Sequence, residues 1–503
     1  MKKILALVLV AVFILVGLAA CGDDKNDQSK DQSTQSQASQ DTTSQTQSDI
    51  SDETSTDPYS HLRGFNLDER EIKILVYGDY RDRYKSVEIM YHDSNPEVIN
   101  TAIETRNQIV EELLNCKLTE VRVDDVLADA RTDAMVDGQY DIIMPYMPAA
   151  ATLAQEGYLY NLYEFSDIIQ LEEPYWDQRA NSDLSIANKL YFSTGDFSLL
   201  TFDCTHAIVF NKKLVEQNST VEDPYQLLKD NEWTFDALYR NARLVTFDTD
   251  GQDGMTFMDT WGLFINENYT TTMFIGSGER LTRKDGDDLP EIAADTQRAI
   301  DVVEKIRQIY NDRTASINIE SYAVTGTQYR DVYHAASAAT GENRALFRTL
   351  AIVDLNELLD YETPYGILPT PKFDETQDEY YNIVSAILSS CICIHTNVYD
   401  ADESAAVAEA LAATSTDTLR RAYYDYVLKG RKITDEEGEF ALDIIFNNRV
   451  YEMATIYNFG SLPTLITTCA KATSNIFAST FGGMKSSVEA QIETLIDTFQ
   501  NLD

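Results

Sequence analysis

Basic residues are scarce in this chain. Over 503 residues, 40 Lys and Arg stand against 83 Asp and Glu, a formal net charge of −43. A surface that acidic repels phosphate backbones, which argues against nucleic acid as a partner and favours neutral or cationic ligands. Tryptophan is rarer still, with Trp176, Trp233 and Trp261 the whole set. Apart from Cys21 there are five cysteines, Cys116, Cys204, Cys391, Cys393 and Cys469, and an odd number does not make a disulfide framework. Catalytic signatures are missing as well: no G-x-S-x-G, no H-E-x-x-H, no P-loop and no G-x-G-x-x-G. The five histidines, at 61, 92, 206, 334 and 395, are too scattered to spell a Ser-His-Asp or His-metal arrangement. No enzyme chemistry and no cofactor are expected.

Long apolar runs are confined to the start. Lys2 and Lys3 precede an apolar core, Ile4 to Val16, which is too short to span a bilayer comfortably and ends in Leu18-Ala19-Ala20-Cys21. Small residues before a cysteine resemble the bacterial lipobox. That resemblance implies a signal peptide over 1–20, lipidation of Cys21 and anchoring at the extracellular face of the cell membrane. Residues 21–57 are Asp, Ser, Thr, Gln, Lys and Asn with almost nothing apolar, so they are expected to form a disordered tether.

The body that follows alternates strand and helix signals. Glu71 to Tyr77 reads as a strand and Pro96 to Leu114 as a helix; Cys116 to Val121 is a second strand, Val126 to Asp137 a second helix. In the stretch from Tyr140 to Leu162, Ile142-Ile143-Met144 fits a strand buried on both faces. Pro148 opens a helix there and Gly157 stops it. The β-α order with short connections predicts doubly wound α/β sheets. Ligands bind at the carboxyl edges of such strands.

Several of these stretches, in order, resemble extracellular solute-binding proteins of ABC importers, the family 1, sugar-binding class. They are Y-D-I-I with A-x-x-x-L-A-x-x-G-x-L from Tyr140, K-L-Y-F at Lys189 to Phe192, Ile208 to Lys212, Trp233 to Leu238, and Asn343 to Phe347 running on to Gly366 to Lys372. The resemblance implies a two-lobe, type II periplasmic-binding-protein-like fold, its doubly wound sheets joined by a hinge that is first crossed between Leu200 and His206. It places residues 70–200 with 386–440 in an N-terminal lobe and 207–385 with 445–503 in a C-terminal lobe. It implies a monomer that captures a small solute, most often a sugar or oligosaccharide, by lobe closure and delivers it to an ABC permease. An anchored glycoside hydrolase, or the same fold binding a peptide, stays open beside it.

Sugar rings offer apolar faces to aromatics and hydroxyl rims to polar groups. The candidates at strand ends are Tyr77, Asp79 and Tyr80, then Tyr146, Asp196 and Phe197, with Trp261 and Asn266 from the second lobe. An acidic turn, Asp248, Asp250, Asp253 and Asp259, partly matches the alternating oxygen donors of a calcium loop, but the register is off and no bidentate Glu closes it, so it reads first as an ordinary surface turn. Cys391, Cys393 and His395 alternate along one strand face, which reads as core rather than metal site.

Overall fold

The computed structural model describes residues 57–136, 138–429, 433 and 435–502. The leader, Cys21 and the tether up to residue 56 lie outside them. Strand β1 (Arg70–Tyr77) buries Ile72, Ile74, Leu75 and Val76 completely, so only a central strand with both faces covered suits it. It pairs in parallel with β2 (Cys116–Val123) and with β3 (Ile142–Ile143). The helix Glu97–Leu114 makes the first crossover and ends on Asn115 in the left-handed conformation, from which β2 starts at once. The helix after β3 is Met147–Gln155, with Pro148 in its first turn.

Much later the chain returns to this sheet. Ile143 and Cys393 exchange backbone bonds of 3.1 and 3.0 Å, and Ile392 does the same with Ser193 at 2.8 and 3.2 Å. Cys391, Cys393 and His395 are therefore buried core, the two thiols facing the carbonyls of Pro145 and Ile143. The segment Lys189–Phe192 departs from the expected strand. Tyr191 and Phe192 are buried, yet pairing reduces to single bridges at Lys189 and Ser193.

The second sheet is mixed. Its strands are β4 (His206–Asn211), β5 (Trp261–Ile265), β6 (Ser316–Asn318), β7 (Ala345–Ala351) and β8 (Tyr365–Leu368), in the order β8-β4-β7-β5-β6. β4 runs antiparallel to both neighbours; β7, β5 and β6 are parallel. Thr234 caps the helix Phe235–Val245 through the Ala237 N–H, and buried Trp233 donates to the Pro369 carbonyl at 2.9 Å. That helix lies directly on β5: a Cβ at Gly262 would sit 1.9 Å from the Ala242 oxygen.

Three chain segments cross side by side between the sheets. Thr205 bridges Val384, and Ser385 donates to the Cys204 carbonyl at 2.9 Å. Next to them β9 (Asn382–Ile383) pairs in parallel with β10 (Arg449–Val450). Among the described residues no helix is long and apolar enough to cross a membrane.

Candidate functional site

Where the carboxyl ends of the two sheets face each other there is a cavity of ≈1020 Å³. Arg83 and Tyr84, after β1, and Pro148, after β3, form one wall. Asn266 to Asn268 after β5, His206 at the start of antiparallel β4, and Ala351 and Asp354 after β7 form the other. The crossing segments supply Cys204 and Ile383 to Leu388, and the helix Leu465–Lys471 adds Thr467, Thr468 and Lys471.

The charges on this wall cancel in place. Arg83 donates to Asp354 at 2.7 Å and Glu357 at 3.1 Å, and Lys471 to Glu267 at 2.7 Å. Burial pushes the Asp354 carboxyl up, against the pull of Arg348 and Arg83. His206 is hydrogen-bonded to the Thr272 hydroxyl at 2.6 Å and stacked on Tyr269; burial pushes its imidazole down to about 4, so it is neutral at pH 7. What remains for a ligand is uncharged: threonine hydroxyls at 271, 272, 464 and 467, the rings of Tyr84 and Tyr333, and the aliphatic side chains of Val384, Ile387, Leu388 and Ile456. A second cavity of ≈610 Å³ lies on the far side of Arg83, between the turn after β1 and the 3-10 segment Ile352–Leu358. Two carboxyls line it, Glu88 fully buried and Asp203 partly so, and burial raises Glu88 to about 7 and Asp203 to about 6.

Of the eight residues predicted to touch ligand, Asn266 lines the larger cavity. Tyr77 and Tyr146 meet at the same sheet edge, with ring centroids 3.9 Å apart and planes 25° from parallel, and the Tyr146 hydroxyl donates to the Tyr84 carbonyl at 2.6 Å. Asp79 and Tyr80 follow at the surface, Tyr80 72% exposed and Asp79 held by His92 and Arg122. The other three are elsewhere. Asp196 is buried against Thr416 and Arg420, Phe197 packs edge-on against Trp176, and Trp261 is core beside Phe264 with its indole donating to the Thr256 carbonyl. Among the residues the sequence reading passed over, Arg81, Arg83 and Tyr84 carried a signal, the D-Y-R-D-R-Y-K run after the first strand. His206, Tyr333 and Asp354 carried none.

The carboxylates of Asp248, Asp250 and Asp259 lie within 4.8 Å of one another, while Asp253 stands outside the group. Burial works against the Asp259 charge, but N–H donors from Thr256, Thr249 and Asp250 outweigh it and hold that carboxyl low. The loop satisfies its own acids.

No family model matches the chain, and no curated protein matches it. Among solved structures it is similar to a cyclo/maltodextrin-binding protein complexed with maltotetraose, at 12% identity and TM-score 0.52, over 86% of this chain and 98% of that one. A second is an ABC substrate-binding protein from Listeria monocytogenes in complex with cycloalternan, at 11% and 0.52, over 86% and 100%. A third is the maltose-binding periplasmic protein of Listeria monocytogenes in complex with maltose, at 13% and 0.50, over 86% and 98%. The fold is that of the two-lobed, type II periplasmic binding proteins. In the terms of that fold, β1 to β3 belong to one lobe and β4 to β8 to the other, so the larger cavity is an interlobe cleft. Arg83 crosses it from the first lobe to Asp354 and Glu357 of the second.

Proposed function

We propose that this chain is a lipid-anchored, extracellular solute-binding protein, monomeric and non-enzymatic, which captures a sugar or oligosaccharide between its lobes and hands it to an ABC permease. Its anchor is Cys21, its lobes are residues 70–200 with 386–440 and 207–385 with 445–503, and the three crossing segments are its hinge. One observation carries the reading: the ≈1020 Å³ cavity is walled by strand ends of both lobes. A ligand filling it touches both at once, and such contacts favour the closed arrangement over the open one. That volume is at the upper end for small-molecule sites, with room for more than one sugar ring. The cancelled charges, the threonine hydroxyls and the two tyrosine rings suit a polyol with apolar faces, and the similar proteins hold maltotetraose, cycloalternan and maltose. The aliphatic wall of Val384, Ile387, Leu388 and Ile456 favours a second reading, in which the ligand is a peptide or another solute with an apolar flank.

Thermal unfolding of the purified protein with mono- and oligosaccharides, amino acids and peptides separates the two. A cognate ligand at a hundred times its Kd adds about 2.7 kcal/mol to stability. A sugar that raises Tm and is recovered intact by mass spectrometry supports sugar capture. A shift with peptides alone transfers the function to the second reading, and a cleaved sugar overturns both.

A further inference from the structure

Arg81 stands out in a chain with twice as many acids as bases. In the short stretch 79–85 bases outnumber acids, with Arg81, Arg83 and Lys85 against Asp79 and Asp82. Two of these bases are committed, Arg83 to Asp354 and Glu357, Lys85 to Asp79. Asp79 is itself shared with His92 and Arg122. Arg81 has no such partner: among the described residues no carboxylate lies at ion-pair distance, and its Nε is buried without a hydrogen bond. Rings hold it instead. Its guanidinium carbon lies 4.9 Å from the Tyr77 centroid, 5.2 Å from that of Tyr146 and 5.5 Å from that of Tyr80. Neighbouring rings confine a guanidinium without using its N–H donors, and the fork left free matches a carboxylate, sulfate or phosphate. Tyr80, 72% exposed, offers an uncovered ring beside it. The platform adjoins the interlobe cavity, because the Tyr146 hydroxyl is bonded to Tyr84, which lines that cavity.

We propose that Arg81, beside the Tyr77–Tyr146 pair and Tyr80, binds the oxyanion of an acidic sugar. The sugar body rests on the function proposed above, whereas the anion contact stands on the residues at 77–81 and 146. Calorimetry on the full-length protein compares D-glucose and D-galactose with D-glucuronate and D-galacturonate, and includes inorganic phosphate as an oxyanion without a sugar. A uronate binds roughly tenfold or more tightly than its parent hexose, the strength of a charge-assisted bidentate contact. Raising NaCl to about 0.5 M shrinks that preference, because the site is partly exposed. Arg81→Gln removes the preference, bringing the uronate constant to that of the hexose, and Arg81→Lys keeps part of it.

Equal constants for uronate and hexose, a preference that survives Arg81→Gln, or no anion binding at all overturns the proposal. A neutral hexose bound without preference does so while sparing sugar capture. Inorganic phosphate bound through Arg81 with no sugar bound does the reverse, keeping the anion site and overturning the sugar reading.

Discussion

At the scale of single residues, the cleft is surrounded by groups whose ionisation is set by burial rather than by partners. Glu88 is fully buried and accepts from the Val87 N–H and the Ser390 hydroxyl. Among the described residues no base lies at ion-pair distance; Arg106 and Glu120 act on it from farther off. Burial raises its carboxyl from 4.5 to about 7, so the folded chain holds this proton where the unfolded chain has lost it. The contribution to stability is complete below the unfolded value and disappears as pH rises through about 7. At 1.36 kcal/mol per unit, Glu88 costs up to about 3 kcal/mol at neutral pH. Asp203 acts in the same direction over a narrower range, and His206, pushed down to about 4, acts in the opposite one on acidification. Glu88→Gln keeps the bond accepted from the Val87 N–H, reverses the one with Ser390, whose hydroxyl accepts from the amide, and does not titrate. It is expected to raise the urea midpoint at about pH 8 while leaving it nearly unchanged at about pH 5. Equal gains at both pH values would mean that Glu88 is solvated.

At the scale of elements, a short buried strand is specified by what its neighbours need. β5 carries Trp261, Leu263, Phe264 and Ile265, every one fully buried, with Gly262 among them. The glycine is required by the helix Phe235–Val245, whose Ala242 carbonyl takes the space of a side chain. Gly262→Ala pushes backbone against backbone and is expected to cost about 2 kcal/mol or more, read as a lower urea midpoint at unchanged slope. Elements of this kind were legible in the sequence. β1, β3 and the helix after β3 carry their own apolar runs, with Gly78 after β1, Pro145 after β3, and Pro148 and Gly157 at the two ends of the helix, so local pattern and tertiary place agree. The segment at Lys189–Phe192 was not legible, because Ser193 bridges Ile392, far along the chain, and local pattern holds no record of a partner so distant. Trp261 misled for a related reason. It was expected at a strand end facing the ligand, yet it is buried in one cluster with Phe257, Phe264 and Ile317.

At the scale of the whole molecule, the two-lobed plan could be read from ordered motifs, whereas the cleft could not. Its wall is collected from 83–84, 204–206, 266–272, 351–354, 383–388 and 455–471, stretches that meet only once three segments have crossed. The strand-end rule led to the correct edge of the first sheet, but there Tyr77 and Tyr146 stack on each other and Arg83 reaches into the cleft instead. Under the proposed lobe closure, Arg83 is expected to set how the lobes stand in the absence of ligand. Its guanidinium lies 5.6 Å from the ring centroids of both Tyr84 and Tyr333, and it meets Asp354, Glu357 and, at 3.8 Å, Asp331 across the cleft. Each charge-assisted bond in a partly buried cluster of this kind contributes about 1.5–3 kcal/mol, and all of it is lost when the lobes part. Arg83→Met keeps the aliphatic stem and removes the charge, which should shift the ligand-free equilibrium roughly tenfold or more toward the open form. Small-angle scattering reads the shift as a larger radius of gyration without ligand, and saturating ligand restores the compact value. If the scattering of the free variant superimposes on that of the parent, closure is held by the apolar wall of Val384, Ile387 and Ile456 and not by this arginine.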